Sequence, residues 1–336
     1  MILRPLNFIT HKIYELPVLV MMPHSRCNCR CVMCDIWKAN NDKKELTTEA
    51  IERHLPAFGK LKVREVVLSG GEALMHSNLF VLCDLLRQRK IKVTLLSTGL
   101  LLRKFAKEVL ESTDEVIVSL DGSLPVHNLI RNIPQAYEKL ADGVRAIREL
   151  SPDFRITGRC VLQRYNYLDL LNTILSAREL GLDQISFLPA DVSTSAFNHI
   201  SMDERDRMGE IALPLNEVEE LEKLIEESIV KFEGEYLSKF IAESPEKMRR
   251  IPRYYKALLG NAEFESPPCN APWVSAVLES DGRLMPCFFH KDYGVLGDDF
   301  ESVLNSPGAI SFRRNLDVKN NEICKRCVCA LKLGVI

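Results

Sequence analysis

The stretch Cys27-Asn28-Cys29-Arg30-Cys31-Val32-Met33-Cys34 decides how the rest of this chain is read. Cys27, Cys31 and Cys34 are separated by three residues and then two, directly after a short β-branched run at 18–22. Three thiolates on one short loop can grip three corners of a cubane iron-sulfur cluster. Such a cluster normally takes four protein thiolates, so three leave one iron open to a ligand. The triplet alone equally allows a structural zinc or a redox thiol pair. Cys29, between the first two, points to neighbouring space on this spacing and reads as a non-ligand.

At 336 residues the chain exceeds one typical domain of ~150, which favours two units. Its 46% hydrophobic and 27% charged residues are ordinary for a soluble protein, and a formal charge of -2 gives no electrostatic ground for a nucleic-acid partner. Residues 1–16 lack the apolar core of a signal peptide, and no run approaches the ~20 apolar residues of a membrane span. A cytoplasmic location is expected. Eleven cysteines, an odd number at metal-ligand spacings without an export signal, point to metal or cluster binding rather than disulfides.

Outward from the cysteine loop, short β-branched runs alternate with helical periodicity through residue 190, the pattern of parallel strands joined by crossover helices. Strands are expected at 18–22, 65–68, 92–96, 115–120, 155–162 and 184–188. Helices are expected to begin near Thr48, Asn78, Leu102, Pro134, Leu168 and Asn216, with Thr47 as an N-cap. Six such units make an α/β fold, a partial (β/α)6 TIM-like barrel over 1–190 whose ligands sit at the strands' carboxyl ends. Residues 191–265, rich in Glu beside Lys223 and Lys231, read as a helical bridge with a solvated charged face. Residues 266–336 turn cysteine-rich and read as a small metal-centred domain, with β-like stretches at 274–278 and 284–289.

The cysteine loop resembles that of the radical S-adenosylmethionine (SAM) superfamily, and the later loops agree with it. Ser69, Gly70, Gly71 and Glu72 after the second strand are similar to the superfamily's glycine-rich motif, which receives the cofactor's methionine amino group; glycine permits close backbone approach there. Ser97, Thr98 and Gly99 after the third strand, and Ser119, Leu120, Asp121 and Gly122 ending the fourth, resemble positions lining the nucleoside and its ribose. Asn166 follows the fifth strand, and Leu188 ends the sixth beside the expected adenine position. His127 and Arg131 resemble a family motif near the cofactor carboxylate, a surface salt bridge being the plainer reading of Arg131. Ala73 stands where proline is frequent and Thr98 where asparagine is common; neither departure removes an essential donor.

Cys269 is followed by twelve residues, Gly282, four more and Cys287; Cys324 and Cys327 form a Cys-x-x-Cys pair with Cys329 close behind. This resembles the C-terminal region of the twitch and SPASM radical enzymes, and the small number of cysteines resembles the single-cluster twitch type. The resemblance implies an auxiliary four-iron, four-sulfur cluster on Cys269, Cys287, Cys324 and Cys327, and leaves open whether Cys329 is a ligand. Zinc on the same four residues is the plainer reading, since the spacing also suits a zinc ribbon. Cys83 and Cys160 lie in apolar runs and read as core.

The resemblance further implies a four-iron, four-sulfur enzyme that cleaves SAM to a 5'-deoxyadenosyl radical, fed by a one-electron donor such as flavodoxin or ferredoxin. With an auxiliary cluster near the substrate, net oxidation or rearrangement is expected, a base taking up a proton. Asp191, two residues past Pro189, is the candidate base, with a turn or cap as its plainer role. His290 is placed to tune the auxiliary cluster or to serve structure, and Trp37 reads as packing under the loop. Because 26 residues precede the cysteine loop, a leader-binding domain before it is not expected. That favours a small sugar-like or natural-product substrate, with modification of a peptide or protein side chain as the alternative.

Overall fold

The computed structural model describes residues 3–194, 196–198, 204–297 and 299–334. The β-branched runs form β1 (Val18–Met21), β2 (Glu65–Leu68), β3 (Lys92–Ser97), β4 (Glu115–Ser119), β5 (Ile156–Leu162) and β6 (Gln184–Pro189). Each pairs in parallel with the next, in chain order. The returning chain packs outside as helices, among them Thr48–Lys60, Leu79–Gln88, Ala136–Leu150 and Leu170–Glu179. Thr47 caps the first of these, its hydroxyl accepting the Ala50 amide at 3.1 Å.

Alternation along the strands separates two environments. Leu19, Met21, Val66 and Leu68 are fully buried under the helices, while Val18, Val20, Glu65 and Val67 face the lumen. Bulky side chains fill the interior of a closed eight-stranded barrel. Here the lumen is lined by apolar residues such as Leu96, Ile117 and Phe187 together with Ser69, Thr94, Ser186 and Ser275, and a cavity of about 490 Å³ remains. At the strands' N-terminal ends Lys92 closes its floor, paired with Glu115 at 2.9 Å and Glu65 at 3.3 Å.

The chain continues pairing beyond both ends of the six-stranded sheet, which reduces its unpaired backbone groups. The C-terminal segment does so on one side: β7 (Ser275–Leu278) runs parallel to β1, and β8 (Arg283–Met285) and β9 (Gly294–Val295) follow antiparallel, completing one nine-stranded sheet. On the other, the Ile185 amide donates to Phe240 and the Ala242 amide to Ile185. The intervening region is helical, including Leu215–Lys231 and Pro245–Leu258. Leu215–Lys231 buries Val218, Leu221 and Ile225. Its acidic face is partly engaged, Glu222 pairing with Lys256 and Glu226 with Arg249, each at 2.7 Å.

Some boundaries differ from those the sequence predicts. A helix at Leu124–Arg131 begins at a Pro-containing first turn and escaped periodicity because it spans only two turns. The helices expected from Leu102 and Pro134 start at Ala106 and Ala136, the preceding residues being spent in turns. The strand expected over 284–289 stops at Met285, because the following residues line a cavity shared by cysteines.

Candidate active site

The cysteine loop follows β1 and is held from two sides. Asn40 Oδ1 accepts the Cys27 amide at 2.8 Å, and Asn40 Nδ2 donates to the Cys27 carbonyl at 3.0 Å. The Arg30 and Val32 amides donate to the Arg131 and Ile130 carbonyls, each at 3.1 Å, so the end of helix Leu124–Arg131 carries the far side. Trp37 packs beneath Arg30, 5.9 Å from its guanidinium.

Cys29 does not point away. It is buried with its thiol beside those of Cys27 and Cys31, and these neighbours together with burial hold its proton on. Its S–H toward Cys31 pulls the Cys31 thiol down to about 7 against burial, helped by the Arg131 guanidinium 3.5 Å from Cys31 Sγ.

The Gly-Gly-Glu segment abuts this loop. A Cβ on Gly71 would lie 1.9 Å from the Arg26 carbonyl oxygen, which also accepts the Glu72 amide at 3.0 Å. Steric exclusion by the cysteine loop is therefore an immediate reason for glycine at 71, besides any approach of a cofactor. Gly70 adopts a φ of +101°, a turn that a side chain would strain. Glu72 is fully buried, its carboxylate accepting the Thr98 amide at 2.6 Å, the Ser97 hydroxyl at 3.0 Å and the Leu74 amide at 3.2 Å. Burial pushes this carboxyl up, and the Thr98, Leu74 and Ser97 donors oppose it. His24 locks the two loops together: its Nδ1 accepts the Arg26 amide at 2.8 Å, so Nε2–H donates to the Glu72 carbonyl at 2.6 Å. That ring is neutral, and burial lowers its pKa.

Asp121 and Arg131 form an interior ion pair rather than the surface bridge that a lone arginine suggests. The second Asp121 oxygen accepts the Val161 amide at 2.9 Å. Burial works against the Arg131 charge, but Asp121 and the nearby thiols outweigh it and raise its pKa. Asn166 Nδ2 donates to the Asp121 and Val161 carbonyls at 2.9 and 3.0 Å, tying the end of β4 to β5. Glu72, Ser97, Asp121 and Asn166 thus cluster along the strand ends, and each spends polar atoms on an adjoining loop. Ser69 and Leu188 remain on the lumen wall, and Ser119 is half-buried beside Arg159 in the sheet register. Asp191 turns its carboxylate to the Ser193 amide at 3.2 Å and to the Thr194 hydroxyl, the turn role open to an aspartate after a strand.

The second cysteine group converges. Cys269, Cys287, Cys324 and Cys327 line one cavity with Cys329 and His290, whose Nε2 is 3.3 Å from Cys324 Sγ. Burial, then the charges of Cys287 and Cys269, push the Cys324 thiol up to about 12. Four such thiols ionise together only around a cationic core. Among the described residues no three His, Cys, Asp or Glu close on one point as a single ion demands. The four thiols line one cavity, and the donor set by itself suits a cluster or zinc. Cys287, Cys327 and Cys329 also line the barrel lumen, so the two cavities meet at these thiols. Every cysteine is free; Cys83 and Cys160 are fully buried core residues.

Residues 21–184 match the family model described as the radical SAM superfamily, and residues 269–328 match SPASM, described as an iron-sulfur cluster-binding domain. The chain belongs to the radical SAM superfamily. This radical SAM enzyme therefore uses a four-iron, four-sulfur cluster with SAM and carries auxiliary iron-sulfur chemistry in its SPASM-type region. It is 24% identical over 290 residues to the antilisterial bacteriocin subtilosin biosynthesis protein AlbA of Bacillus subtilis (strain 168), covering 84% of this chain and 58% of that protein. A probable GTP 3',8-cyclase of Sulfurisphaera tokodaii is 27% identical over 285 residues, 79% of each chain. In fold, the radical SAM enzyme resembles Streptococcus suis SuiB bound to precursor peptide SuiA, with a TM-score of 0.66 and 15% identity over 97% of this chain and 74% of SuiB. No described helix is long and apolar enough to cross a membrane.

Asn40 and His24 organise the cysteine loop without any motif to announce them; both act through backbone groups, which spacing does not reveal. Arg159 on β5 is a third such residue, since only the strand register shows that it faces the lumen.

Proposed function

We propose that this radical SAM enzyme modifies a side chain of a peptide or protein substrate by hydrogen abstraction followed by net oxidation. The observation that carries the reading is the open lumen, which runs from the floor at Glu65 and Glu115 to Cys287, Cys327 and Cys329. A side chain inserted there lies against the auxiliary thiols. The bacteriocin biosynthesis role printed for AlbA and the precursor peptide bound to SuiB favour a peptide over the small metabolite expected from the short N-terminal segment. The cyclase match keeps a small-molecule substrate as the second reading.

When bound at Cys27, Cys31 and Cys34, the cluster and SAM supply a 5'-deoxyadenosyl radical, with electrons from a donor such as flavodoxin or ferredoxin. The chain's own part is positioning. Arg131 donates to Cys31 Sγ, Asn40 and His24 fix the loop, and the lumen receives the side chain that is to react. Cys269, Cys287, Cys324 and Cys327 would hold the auxiliary cluster, placed to accept the second electron.

The test is anaerobic turnover of reconstituted enzyme with SAM, dithionite and two panels, one of short peptides and one of sugar-like and nucleotide metabolites. Formation of 5'-deoxyadenosine with a two-hydrogen mass loss on a peptide is the expected result. Product formation confined to the metabolite panel overturns it.

A further inference from the structure

We infer that Arg159 is a substrate-binding residue that receives a carboxylate, so the peptide taken into the lumen carries an acidic residue. The inference deepens the peptide reading and rests on it for the source of that carboxylate, though not for the anion site itself.

Arg159 stands in the middle of β5, in register between Ser119 on β4 and Ser186 on β6. Its neighbours along the strand, Gly158 and Cys160, are buried on the helix side, whereas Arg159 is exposed to the lumen. Its five N–H donors are therefore open to solvent or to a ligand in the lumen. Here one contact is present, Nε–H to Ser186 Oγ at 3.5 Å, at the limit of a hydrogen bond, and no described carboxylate forms an ion pair with it.

Most of the other charges around the lumen are paired; Lys247, near Glu243, is another cation on this wall. Lys92 satisfies Glu65 and Glu115 at the floor. Arg253 pairs with Glu246 at 2.9 Å and with Glu265 at 3.3 Å, and Arg250 with Glu265 at 3.6 Å. Glu243 senses Arg159 but gives Oε2 to the Phe187 amide at 2.8 Å, and Asp191 is turned to Ser193 and Thr194. Arg159, in mid-strand, faces a cavity large enough for a side chain, with hydroxyls on either side and the Cys329 thiol within its electrostatic reach. A guanidinium fork in that setting matches a carboxylate in two-point contact.

Reconstituted holoenzyme with SAM is titrated with three probes: a pool of acetylated pentapeptide amides with central Glu, the same pool with central Gln, and succinate. Binding is read by calorimetry, and phenylglyoxal labelling of Arg159 is read by peptide mass mapping. The Glu pool should bind and protect Arg159, and Arg159→Gln should weaken it about tenfold or more, the loss of a charge-assisted contact, with Arg159→Lys intermediate. Neither variant should shift the melting temperature, since the guanidinium holds no structural partner beyond Ser186. Equal binding and protection by the Gln pool, unchanged in Arg159→Gln, overturns the inference while leaving the peptide reading intact. Protection by succinate with no peptide binding supports the anion site and overturns the peptide reading. No protection by any probe overturns the inference.

Discussion

Gly71 and Arg26 are in such close contact that a single methyl group on Gly71 would overlap the Arg26 carbonyl oxygen, at 1.9 Å. The Gly-Gly-Glu turn and the cysteine loop are thus one unit, with His24 bridging them through the Glu72 carbonyl. Gly71→Ala should therefore displace the cysteine loop, lowering iron at the first site together with SAM affinity. Overpacking of this kind costs about 1–3 kcal/mol. Iron content, SAM calorimetry and a melting curve of the variant check it; full iron with weakened SAM alone would mean that the glycine serves only the cofactor.

The buried Asp121–Arg131 pair makes a second prediction. Removing one partner leaves the other charge uncompensated in the interior, which costs about 3–5 kcal/mol. Arg131→Met should lose that much in denaturant unfolding, whereas Asp121→Asn with Arg131→Met should recover part of it. Additive losses in the double variant would show that the two side chains act independently.

How far these relationships could be read from sequence depends on their kind. The six strands announced themselves by β-branched runs, and the two cysteine groups by spacing, because both are local patterns. The role of Glu72 was hidden, since its partners Ser97 and Thr98 lie a strand away and become neighbours only through the β2–β3 register. The pairing of β7 with β1 was hidden for the same reason: a strand 257 positions along the chain from its partner, Val18 against Ser275, leaves no periodic trace. Arg159 looked like any strand arginine until alternation placed it on the lumen side. The substrate class was not legible, because chain length before the loop says nothing about what the lumen admits.

For the auxiliary site, a variant with Cys27, Cys31 and Cys34 all changed to Ala should retain about four irons per chain, following the four-thiolate rule for a cubane. Cys329→Ala should keep this iron, while Cys327→Ala should lose it. Iron analysis with the charge-transfer absorption decides between cluster and zinc; zinc without iron refutes the assignment, and loss of iron with Cys329→Ala alone shifts the ligand set by two residues.

The last prediction concerns acid. His24 and His127 are buried with pKa values below the ordinary 6.5, desolvation being the main cause in each, and His127 Nδ1 accepts the Asp121 amide at 3.1 Å. Below 6.5 the unfolded chain takes up protons on these residues while the folded chain does not, so stability falls as pH drops. It is full above about 6.5 and levels off only beneath the depressed folded values. Glu72 acts in the opposite sense, since its raised carboxyl favours the folded state as acid is added, so wild-type data alone mix the two. A variant carrying His24→Gln and His127→Gln separates them, because Gln can supply the acceptor without titrating. Between pH 7 and 5.5 the parent's melting temperature should fall more steeply than the variant's. Parallel slopes would mean that neither histidine is kept neutral by the fold.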